Sequence, residues 1–185
     1  MSTLIATPGQ TIGPFFGYAL PFDRDSELVP PGSPGAIRLH GVVTDGEGVA
    51  VPDALLEIRQ ADADGVIPTA TGSLHRDGWT FTGWGRASTD REGRYSFTTI
   101  KPGATQSGSA PFFAVTVFAR GLLNRLFTRA YLPGDQLASE TLLSSLPDER
   151  RNTLVAVADE QGLRFDIRLQ GDGETVFLRF PGHHR

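Results

Sequence analysis

Hydrophobic and polar residues alternate in short runs along most of the chain. From Arg94 to Thr99, Tyr95 and Phe97 fall on one side and Ser96 and Thr98 on the other. That period of two predicts a strand with one face on a core. The turn Thr89-Asp90-Arg91-Glu92-Gly93 precedes it: an Asp bonds backbone two residues on, and a Gly supplies positive φ. Lys101-Pro102-Gly103 ends it. After a Gly/Ser loop, Phe112 to Ala119 is almost wholly apolar and predicts a strand buried on both faces, closed by Arg120-Gly121.

The same reading extends in both directions. Ile37 to Thr44 is a strand followed by the turn Asp45-Gly46-Glu47-Gly48. Between Ala54 and Gln60, Leu56, Ile58 and Gln60 alternate with Leu55, Glu57 and Arg59, giving another strand that Ala61 to Gly65 closes. A long loop then runs to about Arg86; its Trp79, Phe81 and Trp84 rings are expected to cap a core edge. Downstream, Asn124 to Tyr131 is a strand stopped by Pro133-Gly134-Asp135. Helices fit only within 136–146 and 147–157, where Ser145-Leu146-Pro147-Asp148-Glu149 has the residues of a helix start. Leu163 to Gln170 and Thr175 to Phe180 read as strands of a hairpin turned at Gly171-Asp172-Gly173-Glu174.

Short strands, frequent turns and few helices predict an all-β chain: an antiparallel β-sandwich with long loops, an extended N-terminal arm and one or two short helices. The boundary falls in Pro30-Pro31-Gly32-Ser33-Pro34-Gly35, so residues 1–35 are arm and linker and 36–185 the sandwich. In the arm, Pro8 and Pro14 exclude a long helix. Ile12, Phe15, Phe16, Tyr18 and Leu20 carry too much apolar area for a free tail, so the arm is expected to lie against its own core or a partner.

Composition narrows the function classes. The 185 residues suit one domain with a sizeable core, and a net charge of -4 leaves no basic footprint for nucleic acid. Without cysteine there is neither a disulfide nor a thiolate metal site. Neither a signal peptide nor an apolar run of ~20 residues is present, so a cytoplasmic location is expected. No nucleophile elbow, P-loop or dinucleotide fingerprint occurs. Of the four histidines, His40 lies on an apolar strand and is expected to be structural; His75 sits in a polar loop; His183 and His184 close the chain without a third ligand nearby.

Six stretches in order carry a resemblance: TPGQTIGPF at 7–15, LLEIRQADADG at 55–65, GRYSFTTIKPG at 93–103, AP through FARG at 110–121, TRAYLPGD at 128–135 and RFDIRLQGDGETVF at 164–177. Together they resemble the intradiol ring-cleaving dioxygenases, and within that family the α-type subunits of its protocatechuate-cleaving members. The resemblance implies a ferric iron held by two tyrosinates and two histidines in the catalytic, β-type chains, hard oxygen donors that suit Fe(III) and a catecholate. The H-x-H of those chains matches Phe112 and Ala114 here, which cannot coordinate a metal. No tyrosine lies between Gln60 and Arg94 or between Lys101 and Pro111, where the family tyrosines would fall. The expectation is therefore a chain that binds no metal and has no catalytic residue of its own, with Fe(III) in a homologous β-type partner. Together they would form a hetero-oligomer of αβ pairs that cleaves 3,4-dihydroxybenzoate with O2 to 3-carboxy-cis,cis-muconate.

The resemblance also implies that Thr11, Gly13 and Pro14 of the arm, and Arg120 of the FARG motif, line the partner's substrate pocket. A Gly lets backbone approach a ligand, Thr offers a hydroxyl, and the guanidinium attracts a carboxylate. Read without it, Thr11 and Gly13 form an ordinary turn and Arg120 a surface ion pair; Arg129 is a weaker pocket candidate, for which a structural role is the favoured expectation. A second reading is a non-enzymatic, prealbumin-like β-sandwich module, which the core GVVTDGEGVAVPDALLEIRQADADG also fits. Such a module needs neither the TPGQTIGPFF arm nor the RFDIRLQGDGETVF segment.

Overall fold

The computed structural model describes residues 16–70 and 76–180, without the side chains of Phe16 and Tyr18. Its strands are β1 (Ala36–Thr44), β2 (Leu55–Arg59), β3 (Trp84–Ser88), β4 (Arg94–Ile100), β5 (Phe112–Phe118), β6 (Leu126–Tyr131), β7 (Val157–Asp159), β8 (Gly162–Arg164) and β9 (Ile167–Arg168). One sheet runs β4-β1-β8-β7 with β9 also on β1, and the other runs β3-β2-β5-β6. All pairs are antiparallel except β1 with β8 and β1 with β9. The architecture is thus the expected all-β sandwich.

Alternation decides what goes inside. On β4, Tyr95, Phe97 and Thr99 are buried; on β1, Leu39 and Val43 join them; from the facing sheet come Leu56, Ile58, Phe113, Val115 and Val117. At about 25 cal/mol per Å² of apolar surface, each such side chain contributes roughly 1.5–3 kcal/mol of burial. A second cluster sits at one end, where Tyr131, Leu143 and Leu154 pack together. There α2 (Thr141–Ser144) and α3 (Asp148–Asn152), single turns preceded by a 3-10 turn at Asp135–Ser139, close the sandwich. With the turn α1 (Phe16–Ala19), the described residues hold three short α-helices, one more than expected.

Four expectations need correction. The helix start read at Ser145–Glu149 is there, with Asp148 and Glu149 in the first turn of α3, but Pro147 occupies its N-cap, and the Ser145 hydroxyl instead donates to the Leu142 carbonyl at the end of α2. Residues 175–180 are not a hairpin strand. Thr175 still bonds Arg168, but Leu178 N then donates to Phe127 O, so the segment crosses to the edge of β6. β3 begins inside the stretch assigned to a loop, which was expected to run to about Arg86. Gly85 and Arg86 disguise it, and Gly85 is required because a Cβ there would meet Leu28 Cδ1 at 2.3 Å. Last, β5 is not buried on both faces. Phe113, Val115 and Val117 point inward, but Phe112, Ala114, Thr116 and Phe118 are only half-buried.

The chain before β1 belongs to this packing from Phe22 onward. Leu28 is buried in the main core, Leu28 N donates to Thr98 O, and Arg86 N donates to Asp25 O. The Trp84 ring stacks on Phe22 at 6.0 Å and lies under the Arg86 guanidinium, so it does cap an edge. Phe81 packs against the core as expected. Trp79 does not: its loop is pinned by Asp77, yet the residue is 94% exposed.

Candidate functional site

The two regions singled out by the sequence lie at opposite ends of β5, Phe112 and Ala114 at its start and Arg120 two residues past its end. At its start, Ala114 pairs with Arg59 of β2 on one side and with Arg129 of β6 on the other. A small residue between two long ones leaves a hollow. Phe112 and Thr116 flank it along the strand, and Ile67, Leu178 and Phe180 rise around it, leaving an open hollow of about 280 Å³. The Arg129 guanidinium lies 4.3 Å from the Phe112 ring centre, and its Nη1 donates to the Tyr131 hydroxyl at 2.9 Å. Arg59 Nη2 donates to the Pro68 carbonyl at 3.3 Å.

Could these residues hold a metal? Phe112 and Ala114 present only hydrocarbon. Tyr95 is fully enclosed, its hydroxyl donates to the Phe165 carbonyl, and burial pushes its pKa well above the ordinary phenol value, so no phenolate forms there. Burial also raises the Tyr131 pKa, with Arg129 opposing it. His40 is structural, as expected, with Nε2 3.1 Å from Asp159 Oδ1. That contact is the main cause of a lowered Asp159 pKa. Among the described residues no group of three or more His, Asp or Glu converges. The donor set does not fit a ferric ion.

Arg120 stands six residues beyond Ala114, roughly 20 Å along an extended strand. Its Nε donates to Asp53 Oδ2 at 2.6 Å, and its side chain is 65% exposed, against 15% for Asp53. The other carboxylate oxygen, Asp53 Oδ1, is buried without a hydrogen-bond partner. The arm leads to this end: the Cβ position of Gly17 in α1 lies 3.9 Å from the Asp53 carbonyl. Thr11, Gly13 and Pro14, like His75, His183 and His184, fall outside the described residues. Arg129 is half-buried and doubly engaged, in keeping with a structural residue. Within this chain Arg120 and the Ala114 hollow do not form one site. The hollow itself escaped sequence reasoning, because the Arg59–Ala114–Arg129 row exists only once the strand register is fixed.

A sandwich of this topology, with an apolar hollow on its second sheet, can be set against known proteins. A family model described as dioxygenase matches residues 12–171. The chain belongs to the intradiol dioxygenase family. Protocatechuate 3,4-dioxygenase alpha chain from Burkholderia cepacia is 40% identical over 197 aligned positions, 96% of this chain and 99% of that one. The beta chain of the same name and organism is 34% identical over 182 positions, 86% of this chain and 76% of that one. Among solved structures, the dioxygenase domain of a dioxygenase–carbohydrate-binding protein fusion from Streptomyces sp. SirexAA-E matches with a TM-score of 0.58 at 25% identity, over 89% of this chain and 98% of that one. Intradiol dioxygenases generally use non-heme iron; this member carries no fitting ligand at Phe112 and Ala114. No helix among the described residues is long and apolar enough to cross a membrane.

Proposed function

We propose that the chain is the non-iron-binding, α-type subunit of a protocatechuate 3,4-dioxygenase. A homologous β-type chain holds Fe(III) and, with this subunit, cleaves 3,4-dihydroxybenzoate by O2 to 3-carboxy-cis,cis-muconate in the cytoplasm. The observation that carries the reading is the occupation of the H-x-H positions by Phe112 and Ala114 in a chain that otherwise keeps the family's motifs from end to end. Its similarity to both an alpha and a beta chain supports a hetero-oligomer of αβ pairs.

In this reading the subunit supplies interface and one wall of the partner's pocket: Thr11, Gly13 and Pro14 from the arm, and Arg120 from the end of β5. Two features favour the assignment. Gly17, only a few residues past Pro14, lies beside Asp53, the residue that holds Arg120. The guanidinium is also largely exposed and so able to face a neighbour. A fixed charge there attracts the substrate carboxylate without touching the iron. The side-chain-free Gly13 lets the arm backbone approach the ring and exclude water.

Arg120→Ala in the co-expressed pair tests this. A charge-assisted hydrogen bond of about 1.5–3 kcal/mol corresponds to a rise in KM of roughly tenfold to a hundredfold. Iron content stays unchanged, because the lost group lies outside the coordination sphere. Unaltered steady-state kinetics would remove Arg120 from the pocket.

A further inference from the structure

We infer, resting on the reading that puts Arg120 in the partner's pocket, that Asp53 is a positioning residue: it aims the Arg120 guanidinium and so sets how tightly the assembled enzyme holds the carboxylate of its substrate. The geometry of the pair, the stiffness of its base and its energetic cost all point to aiming rather than to stability.

Arg120 Nε donates to Asp53 Oδ2 at 2.6 Å, and Nη2 lies 2.5 Å from the same oxygen. Those two nitrogens form one edge of the planar guanidinium. With that edge turned to Asp53, the fixed fork directs the other edge, Nη1 with the outer N–H of Nη2, away from it. An edge of that kind can take a carboxylate through two parallel bonds.

The base of the pair is stiff. Asp53 lies between Val51 and Ala54, which are both buried. The buried Thr89 pins that segment. Its hydroxyl donates to the Val51 carbonyl at 2.7 Å and accepts from Ala54 N at 2.9 Å, while Thr89 N donates to the Ala54 carbonyl at 2.9 Å. Val51 N in turn donates to Val43 O of β1 at 3.0 Å. The backbone around Asp53 is thus tied to the core, and a long, exposed side chain is held from a rigid point.

Stability does not account for the arrangement. Asp53 Oδ1 is buried without a hydrogen-bond partner. Leaving a carboxylate oxygen so costs more than an ion pair to a largely exposed arginine returns. Such an oxygen in a native fold calls for a reason other than stability. Aiming Arg120 supplies one.

Removing Asp53 has two opposite effects on an anionic substrate. The charge of Arg120 is no longer offset, which tightens binding. The guanidinium is also released and must be immobilised again at each binding event, which weakens it by roughly twofold to tenfold. Water around the exposed guanidinium screens the first effect, so the second prevails.

Asp53→Ala and Asp53→Asn in the co-expressed pair test this. KM and kcat for protocatechuate are measured beside the inhibition constant of catechol, which has the ring and both hydroxyls but no carboxylate. The expected result is a KM raised roughly twofold to tenfold in Asp53→Ala. The rise is smaller in Asp53→Asn, which keeps a neutral acceptor for Arg120. Iron content, kcat and catechol inhibition stay unchanged. In an Arg120→Ala background, Asp53→Ala adds nothing further, because both changes act on one contact. An unchanged or lowered KM in both Asp53 variants, beside a raised KM in Arg120→Ala, would overturn the inference. Equal weakening of protocatechuate and catechol would overturn it too, since a merely structural role affects both. An unchanged KM in Arg120→Ala itself would refute the pocket reading, and the role of Asp53 with it.

Discussion

Gly41→Ala is a demanding test of the packing. β1 pairs with β8 at Leu39–Leu163 and His40–Arg164, and with β9 at Val43–Ile167 and Thr44–Arg168. Between those pairs the register is kept, but Phe165 and Asp166, opposite Gly41 and Val42, leave the ladder. Phe165 N donates to His40 O at 2.7 Å, Val42 N donates to Asp166 Oδ1 at 3.0 Å, and the Phe165 carbonyl turns over Gly41 to accept the Tyr95 hydroxyl. A Cβ on Gly41 would lie 2.1 Å from that carbonyl oxygen and 2.7 Å from its carbon. Both are backbone atoms, so no flexible side chain can give way. Overpacking costs about 1–3 kcal/mol, and a Tyr95 hydroxyl pushed off its acceptor in the core about 1–3 kcal/mol more. The sum, about 2–6 kcal/mol, corresponds to a Tm lowered by roughly 4–24 °C for a chain of this size. Thermal unfolding of Gly41→Ala beside Tyr95→Phe separates the two contributions. Tyr95→Phe loses only the hydroxyl bond, and the double variant falls short of additive because both changes act on one carbonyl. A Gly41→Ala protein within about 0.5 kcal/mol of wild type would refute the close approach of β1 and Phe165, since that is the spread of an ordinary surface change.

Two further outcomes follow from the same coordinates. Asp77 accepts bonds from Thr80 Oγ1, Thr80 N and Trp79 N, which lower its pKa from 3.8 to about 2, the Thr80 hydroxyl contributing most. A depressed folded pKa means that the carboxylate's support of this loop is complete above pH 3.8 and lost as pH falls through about 2. A carboxyl-detected NMR titration should place the midpoint near 2 and move it upward in Thr80→Ala; a midpoint near 3.8 in wild type would contradict the bonding. Leu28→Ala, in the segment ahead of β1, should cost about 2–5 kcal/mol in denaturant unfolding, because Leu28 is fully engaged in the core. A loss below about 0.5 kcal/mol would mean that residues 22–28 detach freely.

Local pattern carried most of the fold. The alternation of Tyr95 and Phe97 fixed the inner face of β4, and that of Leu56, Ile58 and Gln60 fixed β2, because a period of two survives any tertiary arrangement. β3 was hidden because Gly85 and Arg86 have no strand propensity of their own; β2 and Leu28 impose the extended form. The 175–180 segment misled because Thr175 does begin a hairpin-like return before Leu178 leaves for β6. At the candidate site, the hydrocarbon character of Phe112 and Ala114 was legible in one dimension. The hollow was not. Phe112 to Phe118 reads as uniformly apolar, and only the register that brings Arg59 and Arg129 to either side of Ala114 reveals a charged rim on that strand's outer face.

The central claim is that this chain completes an iron enzyme without holding the iron. Iron content and O2 uptake with protocatechuate, compared for this chain alone, its β-type partner alone and the co-purified pair, test it most directly. Iron located in the partner chain, with full O2 uptake only from the pair, is the predicted result. Stoichiometric iron and O2 uptake from this chain alone would contradict the account at its foundation, since neither Phe112 nor Ala114 could then occupy the metal-binding positions.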